Sequence, residues 1–128
     1  KDDALAAAKI DQLIDAATDI TNKVSPSMRI KDPEAKMAAR QKLADATLPQ
    51  WAGYLENLYQ QNDGDFFVGQ SLTIADLAIW RLIGWLKSGM LDGIPTTLID
   101  QFPGLKAHYE RVGSEPKIAE WMHENYAV

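Results

Sequence analysis

The segment from Ser71 to Leu86 constrains the fold of this chain more than any other feature. Its Thr73 and Asp76 have the spacing of a capping box, in which two side chains bind the free backbone amides at the start of a helix. The following residues, Leu77 to Leu86, are apolar almost all round. Because such a helix has to be enclosed by other helices, the segment predicts the central helix of a bundle. We therefore assign Thr73 and Asp76 a structural role.

The rest of the chain also has helical patterning. Apolar residues recur at intervals of three or four, and no segment alternates convincingly as a strand does. The short apolar run Phe66 to Val68 is flanked by turn residues and is interpreted as a loop anchor. The sequence thus predicts an all-α domain, with helices over Asp3–Lys23, Asp32–Asn62 (kinked at Pro49), from Thr73, over Gly104–Val112 and over Pro116–Asn125.

Composition excludes several classes of function. A chain of 128 residues suits one domain with a proper core. With 18 acidic and 13 basic side chains, its net charge of −5 argues against nucleic-acid binding. It has no cysteine, so a disulfide scaffold, a thiol nucleophile and a thiolate zinc site are excluded. Arg81 and Lys87 interrupt the longest apolar stretch, so we expect no membrane span.

Histidine and tryptophan positions suggest no further chemistry. Neither His108 nor His123 has an acidic or nucleophilic partner at a useful spacing, so we expect no metal site and interpret both as surface or satisfied histidines. The four tryptophans fit helical core positions better than a cofactor site: Trp51, Trp80, Trp85 and Trp121.

Three segments together resemble a known family. They are Phe67–Asp76, Phe102–Ala107 (with Arg111 and Val112 after it) and Pro116–Trp121, and their order and spacing resemble the C-terminal domain of cytosolic glutathione S-transferases. The resemblance covers residues 1–128 as one such domain. It implies an all-helical bundle without the family's N-terminal thioredoxin-like domain, and hence half of a longer protein.

Within that family, Ile10–Ile20 resembles the sigma class, which includes haematopoietic-type prostaglandin D synthases and S-crystallins. That likeness implies that Asp19, and less strongly Asp15, reaches the amino group of glutathione bound by the partner subunit. Sigma members usually have paired acids where this chain has Thr18 and Asp19, so we expect no metal effect there. From the residues alone, a solvated helix face is the favoured interpretation of Asp11, Asp15 and Asp19.

The resemblance also implies a wall for the hydrophobic substrate. The corresponding residues are Thr21, Val24 and Met28 near the end of the first helix, and Val24 is equally suited to the core. Tyr126, which we expect in a C-terminal tail, is the residue that would close over this pocket.

The implied function is that of a cytoplasmic homodimeric glutathione transferase. The parent protein would conjugate glutathione, a co-substrate rather than a cofactor, to small electrophiles or isomerise a prostanoid-like compound. This chain would contribute the substrate wall and dimer contacts. We assign it no catalytic residue and expect negligible activity, because the thiol-activating groups belong to the other domain.

Two alternatives remain open at this point. The same domain serves as a non-catalytic interaction module in translation elongation factor and aminoacyl-tRNA synthetase complexes, and glutathione affinity of the full-length protein would discriminate between the two roles. A crystallin-like structural protein is the other alternative, since fold alone does not establish catalysis.

Overall fold

The computed structural model describes residues 2–126. Their order is α1 (Asp2–Val24), a 3₁₀ turn (Ser25–Arg29), α2 (Pro33–Lys42), a π turn (Leu43–Thr47), α3 (Leu48–Gln61), α4 (Ile74–Lys87), a 3₁₀ turn (Ile99–Gln101), α5 (Pro103–Gly113) and α6 (Pro116–Tyr126). No strand occurs among these residues, which confirms the all-α prediction.

None of the helices in the described part of the chain combines the length and the apolarity that crossing a bilayer requires.

The central helix is α4, as its sequence predicts. It packs against both α1 and α5, and its buried residues include Ile79, Leu82 and Ile83. On the facing side of α1, Leu13, Ile20 and Val24 are buried at 3% exposure or less. These side chains form one continuous apolar core, which Phe67 and Val68 join from the loop before α4.

The helix predicted over Asp32–Asn62 is divided rather than merely kinked. Its start is as expected, since Asp32 Oδ2 accepts a hydrogen bond from the Ala35 amide at 2.9 Å. Before Pro49 the chain widens into the π turn, where the Leu48 amide donates to the Leu43 carbonyl. Proline has no N–H to continue the α-helical ladder, and its ring crowds the carbonyl four residues earlier. One widened turn relieves both problems.

A buried arginine connects the turn after α1 to the loop after α4. Arg40 is only 2% exposed; its Nε donates to Ser27 Oγ at 2.6 Å and its guanidinium donates to the Asp92 carbonyl at 2.9 Å. The loop approaches so closely at Gly93 (φ +92°) that a Cβ there would lie 2.9 Å from Arg40 Cβ. Only glycine combines this left-handed conformation with so close a contact.

Helix α5 begins on a carboxylate from a distant helix. Glu56 of α3 accepts the backbone N–H groups of Gly104 and Leu105, both at 2.9 Å. The residue before the helix, Phe102, makes no side-chain capping bond of its own. Glu56 therefore satisfies the free amides that a local cap would otherwise bind.

Candidate functional site

A cleft of about 780 Å³ opens between α1, α4 and α6, with Tyr109 of α5 contributing to its wall. Most of its lining is apolar, and the larger apolar side chains there are Ile14, Leu82, Trp85, Met90 and Met122. Small residues, such as Ala17 and Ala78, widen it between these side chains. A concave apolar surface with few polar groups is typical of a site for a small organic molecule.

The absence of a side chain at Gly84 lets the ring of Tyr109 lie close to the middle of α4. A Cβ at this position would lie 3.4 Å from the hydroxyl oxygen of Tyr109, so the ring of Tyr109 packs directly over the helix backbone. That ring stacks on Trp80 with 6.4 Å between centroids, and Lys87 Nζ lies 5.6 Å from its centroid. Trp80, Lys87 and the backbone of α4 thus surround the ring of Tyr109 in the wall of the cleft.

Few polar groups line the cleft. Thr21 Oγ1 donates to the Ala17 carbonyl at 2.8 Å, which uses its proton within α1. Ser88 Oγ donates in the same way to the Trp85 carbonyl at 2.6 Å. Arg81 donates to the Tyr126 hydroxyl at 3.2 Å and is the one charged side chain among the described residues that line the cleft.

Two of the four residues predicted to contact a hydrophobic substrate line this cleft. Thr21 and Tyr126 do so from opposite ends of the chain. Val24 is fully buried in the core, and Met28 is 49% exposed outside the cleft lining. The expectation that Tyr126 lies in a tail is wrong, because it is the last residue of α6. The rest of the predicted tail, residues 127–128, is outside the described residues.

A separate groove of about 640 Å³ lies between α1 and α3 and contains the three acids spaced four residues apart. Asp11, Asp15 and Asp19 line it together with Trp51 and Tyr54. The groove is shallow and exposed, and Asp19 already has a partner in Lys23, whose Nζ lies 3.3 Å from Asp19 Oδ2. These three acids are not arranged to hold a metal ion together, and among the described side chains no other group of three His, Cys, Asp or Glu is either.

The capping box predicted at Thr73 and Asp76 is formed. Thr73 Oγ1 accepts from the Ala75 amide at 3.2 Å, and Asp76 Oδ2 accepts from the Thr73 amide at 2.9 Å. The other oxygen, Asp76 Oδ1, accepts from the Phe67 amide at 2.9 Å. One carboxylate thus attaches the preceding loop to the start of α4.

His108 has an acidic partner, Asp76, which lies 32 residues away and so could not be found from sequence spacing. Its Nε2 lies 2.8 Å from Asp76 Oδ1, and both side chains are fully buried. Burial alone would raise the pKa of Asp76, but hydrogen bonds from His108, Phe67 and Thr73 outweigh it and hold that pKa below its ordinary value. An ionised carboxylate only accepts hydrogen bonds, so His108 Nε2 carries the proton between them.

Sequence reasoning missed several residues of the cleft. The sequence predicted a core position for Trp85 and no binding role for Arg81 or Tyr109, although all three line the cleft. A helix that is apolar on every face gives no sign of which face meets a cavity, and α4 is such a helix.

The core position predicted for Trp121 is wrong, since its side chain is 46% exposed. Trp51 is buried as predicted.

Comparison with known proteins agrees with this geometry. Residues 18–125 match the sequence family described as "Glutathione S-transferase, C-terminal domain". Since the match covers most of the chain, the protein belongs to this family. The solved structure of NaGST-2 superposes with a TM-score of 0.72 over 94% of this chain and 58% of that chain, at 23% identity, which shows the shared fold.

Curated relatives have the same family name. A glutathione S-transferase of Plasmodium yoelii yoelii is 37% identical over 75 residues, which are 59% of this chain and 34% of that protein. Probable glutathione S-transferase 8 of Caenorhabditis elegans is 30% identical over 118 residues, which are 90% of this chain and 55% of that protein. The chain therefore spans about half the length of the relatives it matches, or less.

Proposed function

We propose that this chain forms the hydrophobic-substrate wall of a cytoplasmic glutathione transferase. The observation that carries the proposal is the apolar cleft between α1, α4 and α6, in a chain of this family. An electrophile with a flat or extended apolar body would lose its hydration against Ile14, Leu82 and Trp85. Its reactive atom would be held toward the opening, where a glutathione thiolate could reach it.

The chemistry divides between two domains in this proposal. The other domain would bind glutathione and lower the pKa of its thiol, because the thiolate is the nucleophile. This chain would supply position, since holding two reactants together removes much of the entropic cost of their encounter. No side chain described here is assigned a catalytic role, and the chain alone is expected to give negligible turnover.

The acidic groove supports the finer, sigma-like part of the proposal. Asp15 and Asp19 line it on α1, away from the apolar cleft. In a homodimer, either carboxylate could accept hydrogen bonds from the amino group of glutathione held by the partner subunit. Asp19 would then exchange its exposed ion pair with Lys23 for that contact.

The substrate-wall proposal is tested by blocking the cleft at an exposed position. Thr18 lines the cleft and is exposed, so T18W adds bulk there without disturbing the core. Asn22, one turn later, is exposed and lies outside the cleft lining, so N22W is the matched control. The probe is the fluorescent methyl ester of cis-parinaric acid, a neutral apolar molecule. We expect T18W to weaken its binding about tenfold, or ~1.4 kcal/mol, and N22W to change it less than about twofold.

Equal binding by T18W and the native chain would contradict the proposal, because the ester would then occupy another surface. If the native chain does not bind the ester at all, the cleft is not a substrate wall. The interaction-module alternative would then explain the fold better.

A further inference from the structure

Arg81 and Tyr126 form a charged corner at the edge of the apolar cleft. An Arg81 guanidinium nitrogen donates to the Tyr126 hydroxyl at 3.2 Å, and the guanidinium carbon lies 5.9 Å from the centre of the Tyr126 ring. The ring in turn packs edge-on against Trp121, with 5.5 Å between centroids. Contacts on both sides of the tyrosine thus position its hydroxyl beside the arginine.

Within the described part of the chain, this corner has hydrogen-bond donors without an acceptor. No carboxylate of residues 4–126 forms an ion pair with Arg81, in contrast to Lys23, Lys87 and Arg111. Guanidinium has five N–H groups, of which the Tyr126 hydroxyl accepts one. Because that hydroxyl oxygen accepts from Arg81, its own proton remains available for a further acceptor.

The charge of the corner contrasts with the rest of the surface. The chain has a net charge of −5, yet no acidic side chain of the described residues lines this cleft. The acids of α1 lie instead in the separate groove beside α3. An anion inside the cleft would therefore meet one cation and no lining carboxylate, while a cation would meet only repulsion from Arg81.

We propose that the cleft selects apolar electrophiles that bear a carboxylate, with Arg81 and Tyr126 binding that group. This inference rests on the proposed function and names its substrate class. The apolar body would pack along Leu82 and Trp85, and the carboxylate would accept paired hydrogen bonds from the guanidinium and one from the tyrosine hydroxyl. The planar guanidinium matches the two oxygens of a carboxylate, so this contact would orient the bound electrophile as well as strengthen its binding.

The test compares cis-parinaric acid with its methyl ester on the 128-residue chain. Both probes have the same apolar body, and they differ in the charge of one end. We expect the native chain to bind the acid about tenfold more tightly than the ester at low salt. R81Q should lose that preference and keep its affinity for the ester within about twofold, because the apolar lining is unchanged.

Two further variants separate the corner from general charge effects. R29Q removes one positive charge from an exposed position outside the cleft lining, so it should retain the preference for the acid. Y126F removes the hydroxyl and keeps the ring, and should reduce affinity for the acid about threefold. Added salt should weaken binding of the acid in the native chain and leave the ester unaffected.

Each outcome separates this inference from the function on which it rests. Equal affinity of the native chain for acid and ester, or an R29Q effect equal to that of R81Q, would overturn the role of the corner and leave the apolar cleft intact. Failure to bind the ester would overturn the proposed function itself. Glutathione also has carboxylates, so millimolar glutathione that displaces the acid but not the ester would assign the corner to glutathione and overturn the inference.

Discussion

Replacing Asp76 with asparagine tests whether one buried carboxylate holds the start of the central helix. Its oxygens accept three close hydrogen bonds: from the amides of Phe67 and Thr73 at 2.9 Å, and from His108 Nε2 at 2.8 Å. Asparagine has nearly the same shape, but one acceptor oxygen becomes an NH₂ group. At least one of the three donors therefore loses its acceptor in D76N.

The magnitude follows from these contacts. A buried N–H without an acceptor costs ~1–3 kcal/mol, and each bond that remains is weaker by about 1 kcal/mol once its acceptor is neutral. Removing a buried charge recovers part of this loss, because the carboxylate no longer has to be desolvated. We expect D76N to lower the free energy of unfolding by ~2–3 kcal/mol, a large share of the ~5–15 kcal/mol that domains have.

The assay is urea unfolding at pH 7, followed by far-ultraviolet circular dichroism. D63N is the matched control, because Asp63 is an exposed acid of the loop before α4. Its substitution should change stability by less than ~0.5 kcal/mol. A loss below ~1 kcal/mol in D76N, or equal losses in both variants, would refute the structural role of Asp76.

The depressed pKa of Asp76 adds a pH dependence with a defined sign. Its stabilisation is fully present above the pKa of an unfolded aspartate, ~3.9, and is lost as the pH falls through the lower folded value. The difference in stability between native chain and D76N should therefore shrink below a pH of about 4. A difference that stays constant into strong acid would contradict this assignment.

Two other substitutions test the distant cap and the acidic groove. E56A leaves two backbone N–H groups at the start of α5 without an acceptor. We expect it to lower the free energy of unfolding in urea by ~2 kcal/mol, whereas the exposed control E110A should lower it by less than ~0.5 kcal/mol. Equal losses in the two variants would show that water replaces the cap. In the complete protein, D19N should raise the KM for glutathione about fivefold with kcat nearly unchanged, whereas D11N should leave that KM unchanged. If the KM of D19N is also unchanged, Asp19 is only a solvated partner of Lys23.

The parts of the fold that local pattern determines were predictable. Thr73 and Asp76 are close in sequence, and the capping box needs nothing beyond their spacing and the apolar run after them. Pro49 predicted an irregularity at this point of the helix, although the sequence indicated a kink rather than a π turn. In both cases the physical cause lies within one or two helical turns.

Interactions between distant segments were not predictable from the sequence. His108 binds an acid 32 residues away, and Glu56 caps a helix that begins 47 residues later. Neither pair has a local spacing to reveal it. The same reason accounts for the cleft, because the wide apolar face of α4 does not show which of its residues border open space until α1 and α6 are in place.

The most direct measurement of the central claim is a ¹H–¹⁵N NMR titration of the 128-residue chain with methyl cis-parinarate. The cleft is the proposed substrate wall, so we predict that the largest amide shifts occur at Thr21, Gly84 and Met122, which line it from three helices. Amides of the acidic groove, such as those of Ala8 and Tyr54, should move little. Shifts concentrated in that groove, or spread evenly over the chain, would contradict the account.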